Sequence, residues 1–107
     1  GQTELHRAAG RGDSVAVGHL LRLGADADVR DNAGWAPLHE ACLAGRGDAV
    51  RMLLEHGCEV NPRSSDGDTP LMDACANGHS SCVRALLEYG ADSSLKNEQG
   101  RTALDEC

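Results

Sequence analysis

The sequence predicts an all-α fold, a solenoid of stacked helix–turn–helix units with hairpin fingers, and three observations predict it. The chain repeats every 33 residues without insertion, so that Gly1, Gly34, Gly67 and Gly100 share one column and Leu5, Leu38, Leu71 and Leu104 another. Each period holds two short stretches with helical apolar spacing, both closed by glycine. Aromatic residues are 2% of the chain and phenylalanine is absent, although hydrophobics reach 40%. A core of Ala, Leu, Val and Cys suits thin layers packed closely in a stack rather than one thick centre.

Each unit reads the same way in order. A turn glycine leads to Thr3, Ala36, Thr69 or Thr102, and three of these four can cap a helix through a hydroxyl. Pro37 and Pro70 follow at the first helical turn, where a missing N–H costs nothing. The short first helix, as in PLHEACLAG, stops at Gly12, Gly45 or Gly78, because glycine accepts the left-handed conformation that follows a helix end. A second helix, as in DAVRMLLEHG, carries Val50, Leu53 and Leu54 on one face and ends at Gly57. Val17, Leu20 and Leu21 repeat that face in the first unit, and Val83, Leu86 and Leu87 in the third. The remaining segment, such as ADADVRDNAG, is rich in Asp, Asn and Gly and reads as an extended loop or hairpin finger. The units run 1–33, 34–66 and 67–99, with a fourth begun at 100–107, which we read as one repeat domain cut from a longer chain.

Charge narrows the partners. With 17 acidic against 10 basic residues the net charge is −7, which argues against the phosphate backbone of nucleic acid and favours a basic ligand. No apolar run approaches the ~18 residues of a membrane span, and the start lacks the order of a signal peptide. The five cysteines, at 42, 58, 75, 82 and 107, form an odd set without metal-ligand spacing. Reduced thiols, no cofactor and no metal are expected, in a soluble nuclear or cytoplasmic protein. Cys42 and Cys75 share a column, and helices packed about 8–10 Å apart hold such residues beyond disulfide reach, so both read as small core residues. Cys58 stands in a column otherwise occupied by Ala25 and Ala91 and reads likewise.

GWAPLHEACLAGRGDAVRMLLEHGCEVN and GDTPLMDACANGHSSCVRALLEYGAD resemble the ankyrin repeat, over all 107 residues. The resemblance implies helix pairs stacked side by side, with a concave face built from fingers and first helices. It also implies a non-catalytic interaction module. His6 and His39 share a column whose family role is to tie turn backbone groups together, and the third unit has Met72 there. His19, His56 and His79 lie within or at the ends of second helices, and no nucleophile–base pair or phosphate loop stands out.

The column after that histidine holds Arg7, Glu40, Asp73 and Glu106, an outward site by family analogy. The fingers add Asp31 and Trp35 to one unit and Asp66 and Asp68 to the next. The column of Trp35 is otherwise Gln2, Asp68 and Arg101, so the only tryptophan is expected in solvent, amid acids, where a cationic peptide would find it. The pairing of D-x-x-G-W-x-P-L-H-E-A with T-P-L-x-D-A further resembles the histone-tail-reading ankyrin domains of Tonsoku-like protein and of the RING-domain partner of the breast-cancer ligase. That resemblance implies a peptide site of Asp31, Trp35, Glu40 and Asp73, to which Leu43, Asp66, Asp68 and Asn77 are added as neighbours. Gln2 stands where those readers carry an acid, and Leu43 where they carry asparagine. The alternative reading is an assembly scaffold for a folded protein or another linear motif, within a ubiquitin-ligase or co-repressor complex. In either role the fragment is expected to be monomeric.

Overall fold

The computed structural model describes residues 2–107, so Gly1 of the turn-glycine column lies outside the described residues. Seven helices are found among them: α1 (Glu4–Arg11), α2 (Ser14–Arg22), α3 (Pro37–Ala44), α4 (Gly47–Glu55), α5 (Pro70–Ala76), α6 (Ser80–Glu88) and α7 (Ala103–Glu106). The first helices stack in one row, α1 on α3 on α5 on α7, and the second helices in another, α2 on α4 on α6. The stack measures 37 × 27 × 20 Å.

The helix starts follow the threonine column. Thr3, Thr69 and Thr102 accept from the backbone N–H of His6, Met72 and Asp105 through their hydroxyls. Ala36 has no hydroxyl, and its own N–H donates instead to Nδ1 of His39 at 3.0 Å. Both α1 and α3 end on glycines in the left-handed region, Gly12 at φ 73° and Gly45 at φ 74°.

The core runs between the two rows. Leu5, Leu38 and Leu71 of the first helices meet Val17, Leu21, Val50, Leu53, Leu54 and Leu86 of the second, all buried. Each such leucine contributes about 2 kcal/mol by leaving water. Leu87, of the apolar face expected in the third unit, is 51% open, and Leu104, of the leucine column, 74%. Each belongs to an element with a stacking neighbour of its own row on one flank only, α7 against α5 and α6 against α4.

The fingers contain no β-strand among the described residues and are chains of tight turns. In each, one side chain closes the turn. Asp31 accepts from the N–H groups of Ala33 and Trp35, Ser64 from Asp68, and Asn97 from Gln99 and Arg101. Neighbouring fingers are joined by Ser65 N–H to the Ala33 carbonyl and Glu98 N–H to the Asp66 carbonyl. Guanidinium groups reinforce this, Arg30 donating to the Arg63 carbonyl and Arg63 to the Lys96 carbonyl. Arg30, Arg63 and Lys96 are one period apart, a ladder the sequence reading passed over.

Cys75 and Cys107 form a disulfide, which corrects the expectation of reduced thiols throughout. The reason is an offset of one position between layers. Same-column residues are set apart by the helix spacing, whereas Cys107 belongs to the column before that of Cys75 and faces it across the α5–α7 layer, with Cα atoms 4.6 Å apart. Cys42, Cys58 and Cys82 are free and buried.

Candidate functional site

The histidine column positions everything around it. Nδ1 of His39 accepts from Ala36, so the ring proton stands on Nε2 and is donated to the Asp68 carbonyl at 2.8 Å. His6 does the same one unit earlier, with Nε2 donating to the Trp35 carbonyl at 2.6 Å. Each ring thereby fixes the residue preceding the next unit's helix. Burial pushes His39 down to about 4, against the opposing pull of the Asp68 carbonyl, so the ring is a neutral strut. The rings of His6 and His39 fix the carbonyls of Trp35 and Asp68 respectively, two of the residues assigned to the peptide site.

Trp35 is half-buried, not open to solvent as its column suggested. Its indole packs on the ring of His39, centroids 5.1 Å apart and planes tilted by 52°. A polar column predicts an exposed residue only when the helix beneath offers no apolar or aromatic surface, and a buried histidine ring one turn away offers one. Asp31, assigned to the peptide, has Oδ1 committed to the turn: it accepts from Trp35 at 2.9 Å and Ala33 at 3.0 Å. Burial would raise its carboxyl, but these backbone bonds hold it below the usual carboxylate range.

Glu40 and Asp73 lie in the column of first-helix acids, on α3 and α5. Glu40 is half-buried and accepts from the Gln2 amide at 2.7 Å. Burial and the neighbouring Asp31 charge push its carboxyl up, against the pull of His6 and Gln2. Gln2 is therefore wired into the site as a donor.

Asp73 is the extreme member. Only 9% of it is exposed, and its Oδ2 is buried with no hydrogen-bond partner. Burial above all, then the charges of Asp68, Glu40 and Glu106, push its carboxyl up to about 8. Asp68 is anchored by the Asn97 amide at 3.0 Å, and Glu106 pairs with Arg101 at 3.2 Å. The sequence reading named Asp73, yet nothing in the column distinguished it from Glu40. Glu106 and Asn97 were not assigned to the site.

The remaining predicted residues are peripheral. Leu43 is exposed on α3, two turns beyond Trp35. The Asn77 amide is turned back onto the Asp73 carbonyl at 2.8 Å. Asp66 is exposed and, with Asp68, Asn97, Glu98 and Gln99, lines a separate cavity of about 170 Å³ between the last two fingers. Asp31, Glu40 and Gln2 thus form one group and Asp73, Asp68 and Glu106 a second, with Glu40 acting on both.

Among the described residues no group of three or more His, Cys, Asp or Glu side chains is placed to hold a metal ion, and no helix is long and apolar enough to cross a membrane. Burial raises the Cys58 thiol to about 12, whereas the hydrogen bond with Cys42 lowers the Cys82 thiol to about 7.

A profile of the family described as ankyrin repeats (3 copies) matches residues 5–97 and 62–107. Among solved structures, the chain is similar to the human ASB11 ankyrin repeat domain, at a TM-score of 0.85 and 38% identity, over 89% of this chain and 43% of that one. The chain thus spans less than half the length of the domain it matches. Comparison with curated proteins finds no match. Family and fold agree with the layered helix pairs, the histidine struts and the capped first helices, and ankyrin repeats are protein-interaction modules. The chain belongs to the ankyrin-repeat family.

Proposed function

We propose that this domain is a non-catalytic reader of an extended basic peptide, of the kind presented by an unmodified histone tail, bound along the first helices and fingers. One observation carries the reading: the buried, unpartnered Oδ2 of Asp73 in the middle of a row of carboxylates. A buried acceptor left without a donor is costly, and an incoming ammonium removes that cost. A lysine ammonium offers three donors and methylation removes them one by one, so carboxylates of Asp73, Glu40 and Asp68 favour the bare amine. Half-buried Trp35 supplies a fixed wall, and exposed Leu43 an apolar neighbour for the peptide backbone. A histone ligand requires nuclear residence, the compartment we propose.

Isothermal titration with unmodified core-histone tail peptides tests this. Binding in the micromolar range, weakened at least about tenfold by Glu40→Gln or Asp73→Asn, is the expected result, since each substitution removes a charge-assisted bond. Absence of heat with every tail would end the histone version.

A second reading has its own support. Leu23, Leu87 and Tyr89, at the C-terminal ends of second helices, are 71%, 51% and 41% exposed, on a row of helices other than the one that carries Glu40 and Asp73. They favour a scaffold gripping a folded partner on the second-helix side. A partner retained by Asp73→Asn but lost with Leu87→Ser and Tyr89→Ser together would select this reading.

A further inference from the structure

Among the described residues, Asp73 is the only one with a buried side-chain oxygen or nitrogen, its Oδ2, that has no hydrogen-bond partner. Every element around it supplies a reason for it to hold a proton. From α3 come Glu40 and the buried thiol of Cys42. The preceding finger brings Asp68, whose Oδ1 is already bonded to Asn97. From α7 comes Glu106, whose charge is shared with Arg101. On its own helix the Asn77 amide is spent on the Asp73 carbonyl. No group of α6 is among those acting on it. The cation beside Glu106, Arg101, is engaged with Glu106 itself. A carboxyl with one buried, donorless oxygen and only like charges acting on it is stabilised as the neutral acid.

Resting on the basic-peptide reading, we propose that Asp73 is a proton-exchange site: the free domain carries a neutral carboxylic acid there, and an entering lysine ammonium displaces that proton to solvent. The O–H bond of the acid breaks, the proton leaves with water or buffer, and the carboxylate that remains accepts N–H donors from the ammonium. Charge inside the pocket is unchanged by the exchange, one proton leaving as one cation arrives. This removes the main obstacle to binding a charge in a buried site, an uncompensated ion. The lysine ammonium itself stays protonated across the range, its ordinary value being about 10.4.

The consequence is affinity that climbs with pH over the range in which Asp73 empties. Because the acid titrates at about 8, the exchange predicts release of close to one proton per peptide at pH 7 and little at pH 9. Affinity should rise roughly tenfold between those two values and flatten beyond.

The test is calorimetry of the intact 107-residue chain with a lysine-containing basic tail peptide lacking histidine. It is run at pH 7 and pH 9, each in two buffers of different ionisation enthalpy, beside a 13C titration of the free domain's Asp73 carboxyl. The expected result is a buffer-dependent heat at pH 7 equal to about one proton, vanishing at pH 9 and absent at both values in the Asp73→Asn variant. Binding with no proton released at pH 7 overturns the exchange and leaves the basic-peptide reading standing. So does a proton still released by Asp73→Asn, which would trace it to another group. An Asp73 midpoint near 4 in the free domain overturns the exchange without reference to any ligand. A peptide that does not bind at either pH overturns both.

Discussion

His39 and Asp68 are 29 residues apart and joined by a single bond, Nε2–H to carbonyl at 2.8 Å, inside the stack. The bond links the first helix of one unit to the residue before the first helix of the next, so it sets the register of the two layers as well as the orientation of the finger between them.

Replacing His39 by Gln removes a buried donor–acceptor bridge and should cost about 1–3 kcal/mol at pH 7, measured by urea denaturation. The pH dependence has a definite sign. The folded value of about 4 lies below the unfolded value of 6.5, so the unfolded chain takes up a proton that the folded domain refuses. Stability from this group is complete above pH 6.5 and drains away as pH falls toward 4. Between those limits the wild type should lose stability more steeply than His39→Gln, and equal slopes would refute the neutral-strut assignment.

Asp73 has the opposite sign. Its folded value of about 8 exceeds the unfolded 3.8, so the folded domain keeps a proton that the unfolded chain releases between them. This group therefore favours folding fully at low pH and loses that contribution as pH rises from about 4 to about 8. Asp73→Asn cannot titrate. It should be more stable than wild type at pH 9, by an amount on the order of a few kcal/mol, and closest to it at pH 4 and below. Chemical denaturation at the two pH values decides the point.

Gly34→Ala should destabilise strongly. Gly34 has φ 77°, and an added Cβ would lie 2.8 Å from the Ser65 backbone nitrogen, the atom that donates to Ala33. Left-handed strain and a backbone clash together should exceed about 1 kcal/mol and lower the melting midpoint by several degrees. A melt unchanged within a degree would mean the fingers are not held in contact.

Reducing the Cys75–Cys107 bond frees a 32-residue separation and should cost about 3 kcal/mol or less in overall unfolding. The loss should concentrate at α7, where only Ala103 is buried. Hydrogen exchange comparing wild type with Cys107→Ser should show faster exchange across Ala103–Glu106 and little change in α3 and α4.

Most of the layer plan was legible because a repeat reports the same physics several times over. The threonine caps, the prolines at the first turn, the terminal glycines and the leucine faces are local requirements, and each recurs at a spacing of 33. Three structural roles could not be read from columns. The reading of Asp31 as a peptide ligand overlooked that Ser64 and Asn97, in the same register, do the same turn-closing work. Trp35 was placed in solvent because its column is polar, while the surface it covers belongs to His39. Cys75 was compared with its own column, while its partner sits one column away on the next layer.

Periodicity and composition by themselves determined the helix pairs, their stacking order, the turn chemistry and the acidic character of one face, because caps, breakers and apolar spacing act within a turn or two of the backbone. Only the packed layers decided which acid is buried without a donor, which aromatic is pinned and which cysteines meet. Those properties depend on desolvation and on distances between units. A column holding Glu40, Asp73 and Glu106 records neither, and burial separates Asp73 from Glu40 through what the neighbouring layers place over it.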